Sequence, residues 1–546
     1  MEQVLIAGTN DPLHNTDTEY NTLIGFWHWY ATEDQRSKLV GTSGKIKNLR
    51  FKLNGSPGAG KSYDFTLMVN GVPSALTVHI HDLDTSGTDT THEVDVVGGD
   101  SVSLRCAPTN TPTSRDATWT SMFEGAIEKE SLILGSSAAT TDKVDTEYGY
   151  VMGGDVFRLD EDSSRQVCPT SGTIKNLYVR LNIDPGTAPD AYRFTLRKNG
   201  ISQALTVTIV ANDTTGNDTD HEVTVAAGDV LTMMIEPIST PSEEPSATYG
   251  MVFVADADGE SIIMGNTMYQ ALDTGVLKYA ALQCSVNLIW QADESTVYAL
   301  GQECILKKLY VLLSAAPGDG KSYTFNPRIA IATGDLSVTI TGAAVTTGND
   351  TINTDAVADD DYLSLMCTPA GTPAAAVPYW GLVSYIAPPP VEYTKTLTES
   401  LGLVDAVSKG VELHPLVEPL GLSDTVVKEP GKMLKESLGL VDVYSRTWSV
   451  YRTYDELLGL ADTVTKGVSL PLSEILGLLD TVIKSASIIR VESLGLEDRI
   501  SKHPSKALVE VLGLLDSISY SKNPTVLAKL IRKFIQLESI GGGGER

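Results

Sequence analysis

The chain has 546 residues, room for three to four domains at about 150 residues each. Its 41 Lys and Arg stand against 69 Asp and Glu, and a net charge of −28 repels phosphate backbones, which argues against a nucleic-acid partner. With 42% apolar residues it can build ordinary cores, yet no window reaches the roughly 18 uncharged apolar residues of a membrane span.

The N-terminal run Met1-Glu-Gln-Val-Leu-Ile6 lacks a basic stretch and reads directly into a strand, so no export signal is expected. Five cysteines (Cys106, Cys168, Cys284, Cys304, Cys367), odd in number and without a CxxC pair, rule out a disulfide framework and a zinc ribbon and suit a reducing compartment.

From the start of the chain one pattern occurs three times. Lys45-Ile-Lys-Asn-Leu49 returns as Thr173-Ile-Lys-Asn-Leu177 and as Cys304-Ile-Leu-Lys-Lys-Leu309. Tyr63-Asp-Phe-Thr-Leu67 matches Tyr192-Arg-Phe-Thr-Leu196 and Tyr323-Thr-Phe325. The turn glycines Gly87, Gly216 and Gly348 are spaced by 129 and 132 residues, and Trp119, Tyr249 and Trp380 by 130 and 131. The chain therefore contains a triplication with units at 1–127, 128–257 and 258–387. Within each unit the period is two: Leu177, Val179 and Leu181 share one face, and Asn70-Gly71 and Asn199-Gly200 mark two-residue hairpins. The expected fold is mainly β, three tandem jelly-roll-like β-sandwich domains of about eight strands each.

Ala387-Pro-Pro-Pro-Val391 marks a Pro-rich hinge at 388–391. Over 392–522, Glu399-Ser-Leu-Gly-Leu-Val-Asp405 recurs to make seven copies, with glycines at 402, 421, 439, 459, 477, 495 and 513. Apolar positions from Ile475 follow a helical period, so the array is expected to be a solenoid stalk of helical or mixed α/β units of about 18 residues, with an all-β array as the alternative. The last segment, 523–546, begins with a run in which Val526, Leu527, Leu530, Ile531, Phe534 and Leu537 form one helical face, and ends in a Gly-rich tail. That amphipathic helix either caps the last repeat or docks a partner through Leu527, Leu530, Ile531 and Phe534.

Several motifs invite a chemical role. Gly55-Ser-Pro-Gly-Ala-Gly60-Lys61-Ser62 fits a phosphate-binding loop literally, but Tyr63-Asp-Phe-Thr-Leu67 continues as a strand where such a loop needs a helix. The second copy has no Lys there, so the run is expected to be an inter-strand turn. His79 and His81 share a strand face without a third ligand, and their counterparts are Thr208, Val210, Thr339 and Thr341, so no metal site is assigned. Asp89, Asp218 and Asp350 lie in Gly-x-Asp-Thr turns, where backbone capping is favoured over Ca²⁺. Trp119, Tyr249 and Trp380 are expected in the cores. Trp27 and Trp29, lacking evident counterparts, are the candidates for stacking on sugar, although core packing is the more economical role. No nucleophile elbow, HExxH or paired acid and base stands out, so neither catalysis nor a cofactor is expected.

Gly172-Thr-Ile-Lys-Asn-Leu-Tyr-Val-Arg-Leu181, the Pro-Gly turn, Tyr-x-Phe-Thr-Leu-x-x-Asn-Gly and Ala-Leu-Thr-Val-Thr-Ile together resemble jelly-roll domains of tailed-phage virion structural proteins, similar to modules of head-fibre, decoration and tail-fibre proteins. The Glu-Ser-Leu-Gly-Leu-x-Asp array resembles repeats of phage and microbial surface proteins. In the third copy Asp359-Asp-Asp-Tyr362 replaces the Gly-Asp turn and the Asn-Gly hairpin is missing. The resemblance implies a non-enzymatic virion protein assembled in the host cytoplasm: a capsid-surface decoration, fibre or spike. Its partners would be other virion proteins or copies of itself, as a trimer or an intrachain pseudo-trimer. The alternatives are an adhesin holding host-surface glycans and a self-assembling extracellular filament subunit.

Overall fold

The computed structural model describes residues 1–388, except 27, 137–138, 155 and 284–289, and the backbone of strands between 405 and 519. Contacts divide the chain into two units, Met1–Pro388 and Pro389–Arg546.

In the first unit, domain 1 is built from β1 (Glu2–Gly8), β2 (Glu19–Asn21), β3 (Gly44–Leu53), β4 (Gly58–Val69), β5 (Val72–Asp82), β6 (Ser86–Val96), β7 (Ser101–Thr109) and β8 (Ala117–Gly125). These strands form two antiparallel sheets, ordered β1-β8-β3-β6 and β2-β7-β4-β5. The first sheet pairs only strands that are not consecutive in sequence, and in the second only β4 and β5 are consecutive. Domain 2 repeats both orders with strands from Glu130–Leu134 to Ser246–Ala255, and domain 3 with strands from Glu260–Asn266 to Pro378–Tyr385.

Alternation along β3 explains the sandwich. Ile46, Phe51 and Leu53 turn inward and are buried, while the intervening Lys and Arg face out. Phe51 stacks on Phe65 of the opposite sheet with centroids 3.8 Å apart, and Trp119 lies 5.5 Å from Phe51. A bulge interrupts β3 at Asn48, and the same bulge recurs at Asn176 and Lys308, all with φ between 53° and 55°. Between β4 and β5, Asn70-Gly71 adopts positive φ at both positions (52° and 75°), and Asn199-Gly200 repeats it. The third copy, which lacks Asn-Gly, keeps the same turn at Ala330 (φ 48°) and Ile331 (φ 68°). The hairpin geometry thus persists without the residues that favour it.

The described strands of the second unit favour the all-β alternative for the array, while 475–479, where the helical period begins, lie outside the described residues. Asp480–Glu492, the continuation of the run whose period looked helical, is a strand. Strands pair in parallel with the next copy, Asp462 opposite Asp480 and Glu474 opposite Glu492. The reason lies in composition. Thr481, Val482, Ile483, Ile488, Ile489 and Val491 favour extended backbone, and a two-turn helix interrupted by Gly has too few hydrogen bonds to hold itself. Seven aspartates, from Asp405 to Asp516, share one register position. The terminal segment 523–546 lies outside the described residues.

No helix among the described residues is long and apolar enough to cross a membrane.

Candidate functional site

The sequence motifs resolve into structural roles. Gly60, Lys61 and Ser62 lie inside β4, where Ser62 pairs with His81 and Thr109, so strand rather than helix follows the glycines. His79 and His81 are exposed and meet separate carboxylates, Asp64 at 2.8 Å and Asp82 at 3.1 Å. Among the described residues no three His, Cys, Asp or Glu side chains are grouped to hold a metal.

The turn aspartates act on backbone. Asp89 accepts the N–H groups of Thr77, Thr91 and His92 at 3.0, 3.1 and 3.2 Å. Asp218 and Asp350 repeat this with Thr206, Asp220 and His221, and with Ser337, Ile352 and Asn353. Burial pushes the Asp89 carboxyl up, but the bonds it accepts outweigh this and hold it at about 2. Cys106, Cys168, Cys304 and Cys367 are free and buried, and burial raises the Cys168 thiol to about 12.

Trp29 is 6% exposed, packed 5.3 Å from Trp119 and 6.2 Å from Phe65, which leaves no open face for a sugar ring. It has counterparts that the sequence comparison did not find. Isolated bridges Tyr20–Tyr30, Tyr148–Arg158 and Tyr279–Gln291 align Trp29 with Phe157 and Trp290. Phe157 packs on Tyr249, and Trp290 on Trp380. The indole N–H of Trp119 donates to Thr22 and that of Trp380 to Leu282, at 2.9 and 2.8 Å. Trp27 and the docking candidates Leu527, Leu530, Ile531 and Phe534 lie outside the described residues.

The three domains meet at three related seams. A two-residue strand of each domain, Lys38–Leu39, Gln166–Val167 or Ala299–Leu300, packs on the next domain's sheet: domain 1 on 2, 2 on 3, and 3 on 1. Three head-to-tail contacts that return to their start make a closed pseudo-threefold ring within one chain. At Gly250 an added Cβ would lie 1.9 Å from the Leu39 carbonyl oxygen, and at Gly381 2.0 Å from that of Val167. Glycine therefore permits the close approach at these two seams.

Polar groups distinguish the seams. Between domains 1 and 2, Lys38 is fully buried and donates to the Gly135 and Gly154 carbonyls at 2.7 and 3.1 Å. Thr42 donates to the buried Glu130, which Lys175 pairs at 2.7 Å. Between domains 2 and 3, Thr170 donates to Glu260 at 2.6 Å, with Lys307 and Lys308 beside it at 3.0 and 2.7 Å. Burial raises the Glu260 carboxyl, but these bonds prevail and lower it. Between domains 3 and 1, Gln302 donates to the Asn48 carbonyl at 2.8 Å, and an ionic contact is added: Arg50 reaches Asp359 at 2.5 Å and Asp360 at 3.4 Å. Lys52 donates to the Asp360 carbonyl at 3.2 Å and sits 4.1 Å above the Tyr362 ring. The departure Asp359-Asp-Asp-Tyr362 is thus the complement of Arg50 and Lys52.

Beside the first seam lies a cleft of about 440 Å³. Thr32, Asp34 and Gln35 of domain 1 form one wall; Arg180, Leu181, Asn182, Ser246 and Thr248 of domain 2 form the other. Asn182 is fixed by accepting the Ser246 N–H at 2.7 Å.

No protein-family model matches the chain, and no curated protein aligns with it significantly.

Proposed function

We propose that the chain is a non-enzymatic structural protein of a virion, a capsid-surface decoration, fibre or spike that works through multivalent protein contacts. One observation carries this reading: three antiparallel β-sandwiches close into a ring within one chain, followed by array strands that pair in parallel from copy to copy. Such a molecule offers three related surfaces at one end of the sequence and a stack of repeats at the other, an arrangement suited to repeated weak contacts. Its chemistry-bearing residues support the same reading, since Asp89, Asp218 and Asp350 cap turns and Glu130 and Glu260 join domains. The partners would be other virion proteins, and the site of assembly the host cytoplasm.

Gold-labelled antibody against residues 1–388, applied to purified particles from the source culture, tests this by electron microscopy. Label on the particle surface, with the chain recovered from disrupted particles in stoichiometric amount, is expected. A chain found only in particle-free fractions overturns the proposal.

A further inference from the structure

One wall of the cleft between domains 1 and 2 differs from the aligned positions at the other two seams. Position 180 is Arg, and the aligned positions in the other domains are Lys52 and Leu312. Lys52 is engaged by the Asp360 carbonyl and the Tyr362 ring, and Leu312 packs with the Val167, Val377 and Tyr379 cluster. The guanidinium of Arg180, a half-buried residue, makes no hydrogen bond or ion pair with any described residue. On the facing wall Asp34 is also unpaired, whereas its counterpart Asp162 is held by Arg165 at 2.6 Å.

Arg105 and Arg115 likewise meet no carboxylate among the described residues, so it is the place of Arg180, on the wall of a cleft, that singles it out. Here a cation and an anion line the same cleft without closing on each other. The remaining polar lining consists of the hydroxyls of Thr32, Ser246 and Thr248 and the amides of Gln35 and Asn182, and no lining residue is aromatic. A planar heterocycle would find nothing to stack on, but a polyol would find donors and acceptors from both walls. The volume suits one or two sugar residues of a chain that continues into solvent.

We propose that this cleft binds an acidic sugar residue, a uronic or sialic acid unit of a glycan. Arg180 takes its carboxylate in a forked pair, and Asp34, Gln35 and Thr32 take its hydroxyls. Arg180 is the only cationic residue among those lining the cleft, so it sets the requirement for an acid. The site needs domains 1 and 2 in contact, and the inference holds whether or not the chain belongs to a virion.

Titration of the full chain by calorimetry and by saturation-transfer NMR decides the matter, with 3′-sialyllactose and digalacturonate as probes and lactose as the neutral control. At least one acidic probe should bind, with lactose weaker by roughly tenfold or more. Arg180→Gln should remove that preference, and Gln35→Trp, which fills the cleft, should remove binding altogether. Both variants should keep the wild-type circular dichroism and melting temperature, because neither side chain holds the seam. Equal binding of lactose, binding unaffected by Arg180→Gln, or silence of both acidic probes at millimolar concentration each overturns the proposal. So does saturation by free glycine with the sugars silent, which would make the site one for amino acids.

Discussion

The Arg50 guanidinium and the Asp359 carboxylate, 309 residues apart in sequence, lie 2.5 Å apart and join domain 1 to domain 3. Asp359 is 44% exposed, so the pair is worth no more than about 1 kcal/mol by itself. Its significance is position, because it closes the ring at the one seam that successive domains do not share. Arg50→Glu places three like charges together with Asp359 and Asp360. Hydrogen exchange should then quicken in 2–8 and 299–302 while 38–42 stays protected, and adding Asp359→Arg should restore part of the protection. Uniform loss of protection across all three seams would refute a separate closing contact.

Gly250 predicts a sharper effect. A methyl at this position meets the Leu39 carbonyl oxygen at 1.9 Å, far inside contact distance, and backbone on both sides must move. Gly250→Ala should cost about 3 kcal/mol or more, whereas Gly228→Ala, with no atom within 4 Å of its added Cβ, should cost about 1 from its positive φ alone. Urea unfolding followed by tryptophan fluorescence checks the ranking.

Ile331 holds φ 68° in a two-residue hairpin whose counterpart is Gly200. A β-branched residue is strained in this region. Replacing Ala330-Ile331 with Asn-Gly should raise stability by about 1–2 kcal/mol without altering the strand register. A neutral or destabilising result in thermal melting would show that the side chain of Ile331 makes a compensating contact.

Glu19 carries a pH dependence. Burial, aided by Asp11 and Asp17 and opposed by the His14 N–H at 2.7 Å, raises its carboxyl from 4.5 to about 7. An acid whose folded pKa is raised costs nothing below its unfolded value, because it is protonated in both states. The cost grows from pH 4.5 to about 7 and is constant above. Glu19→Gln should therefore leave melting unchanged at pH 4 and stabilise at pH 8 by roughly 1–2 kcal/mol, after discounting for partial solvent screening. An equal shift at both values would exclude this titration.

Much of the fold was legible in the sequence because it depends on local pattern. The alternation in Leu177-Tyr-Val-Arg-Leu181 and the spacing of Gly87, Gly216 and Gly348 lead directly to three sandwiches, and Asp89 and its counterparts to backbone caps. What escaped depends on contacts between copies. The seams rest on Leu39 against Gly250 and Thr170 against Glu260, pairs that no periodicity within one copy marks. Trp29 appeared unmatched because its counterpart in domain 2 is Phe157, and only the tyrosine bridges nearby establish the alignment. The array stayed open between two readings for another reason: Leu and Ile in short runs fit both periods, and pairing with neighbouring copies is what favours strands at Asp480–Glu492.

Only four residues, 126–129, run from the end of Gly125 to the start of Glu130, and four more, 256–259, from Ala255 to Glu260. Tethers that short hold each lobe beside its neighbour at an effective concentration of the order of millimolar. The ring therefore survives dilution that would separate independent subunits, and its integrity does not depend on how much of the protein is made.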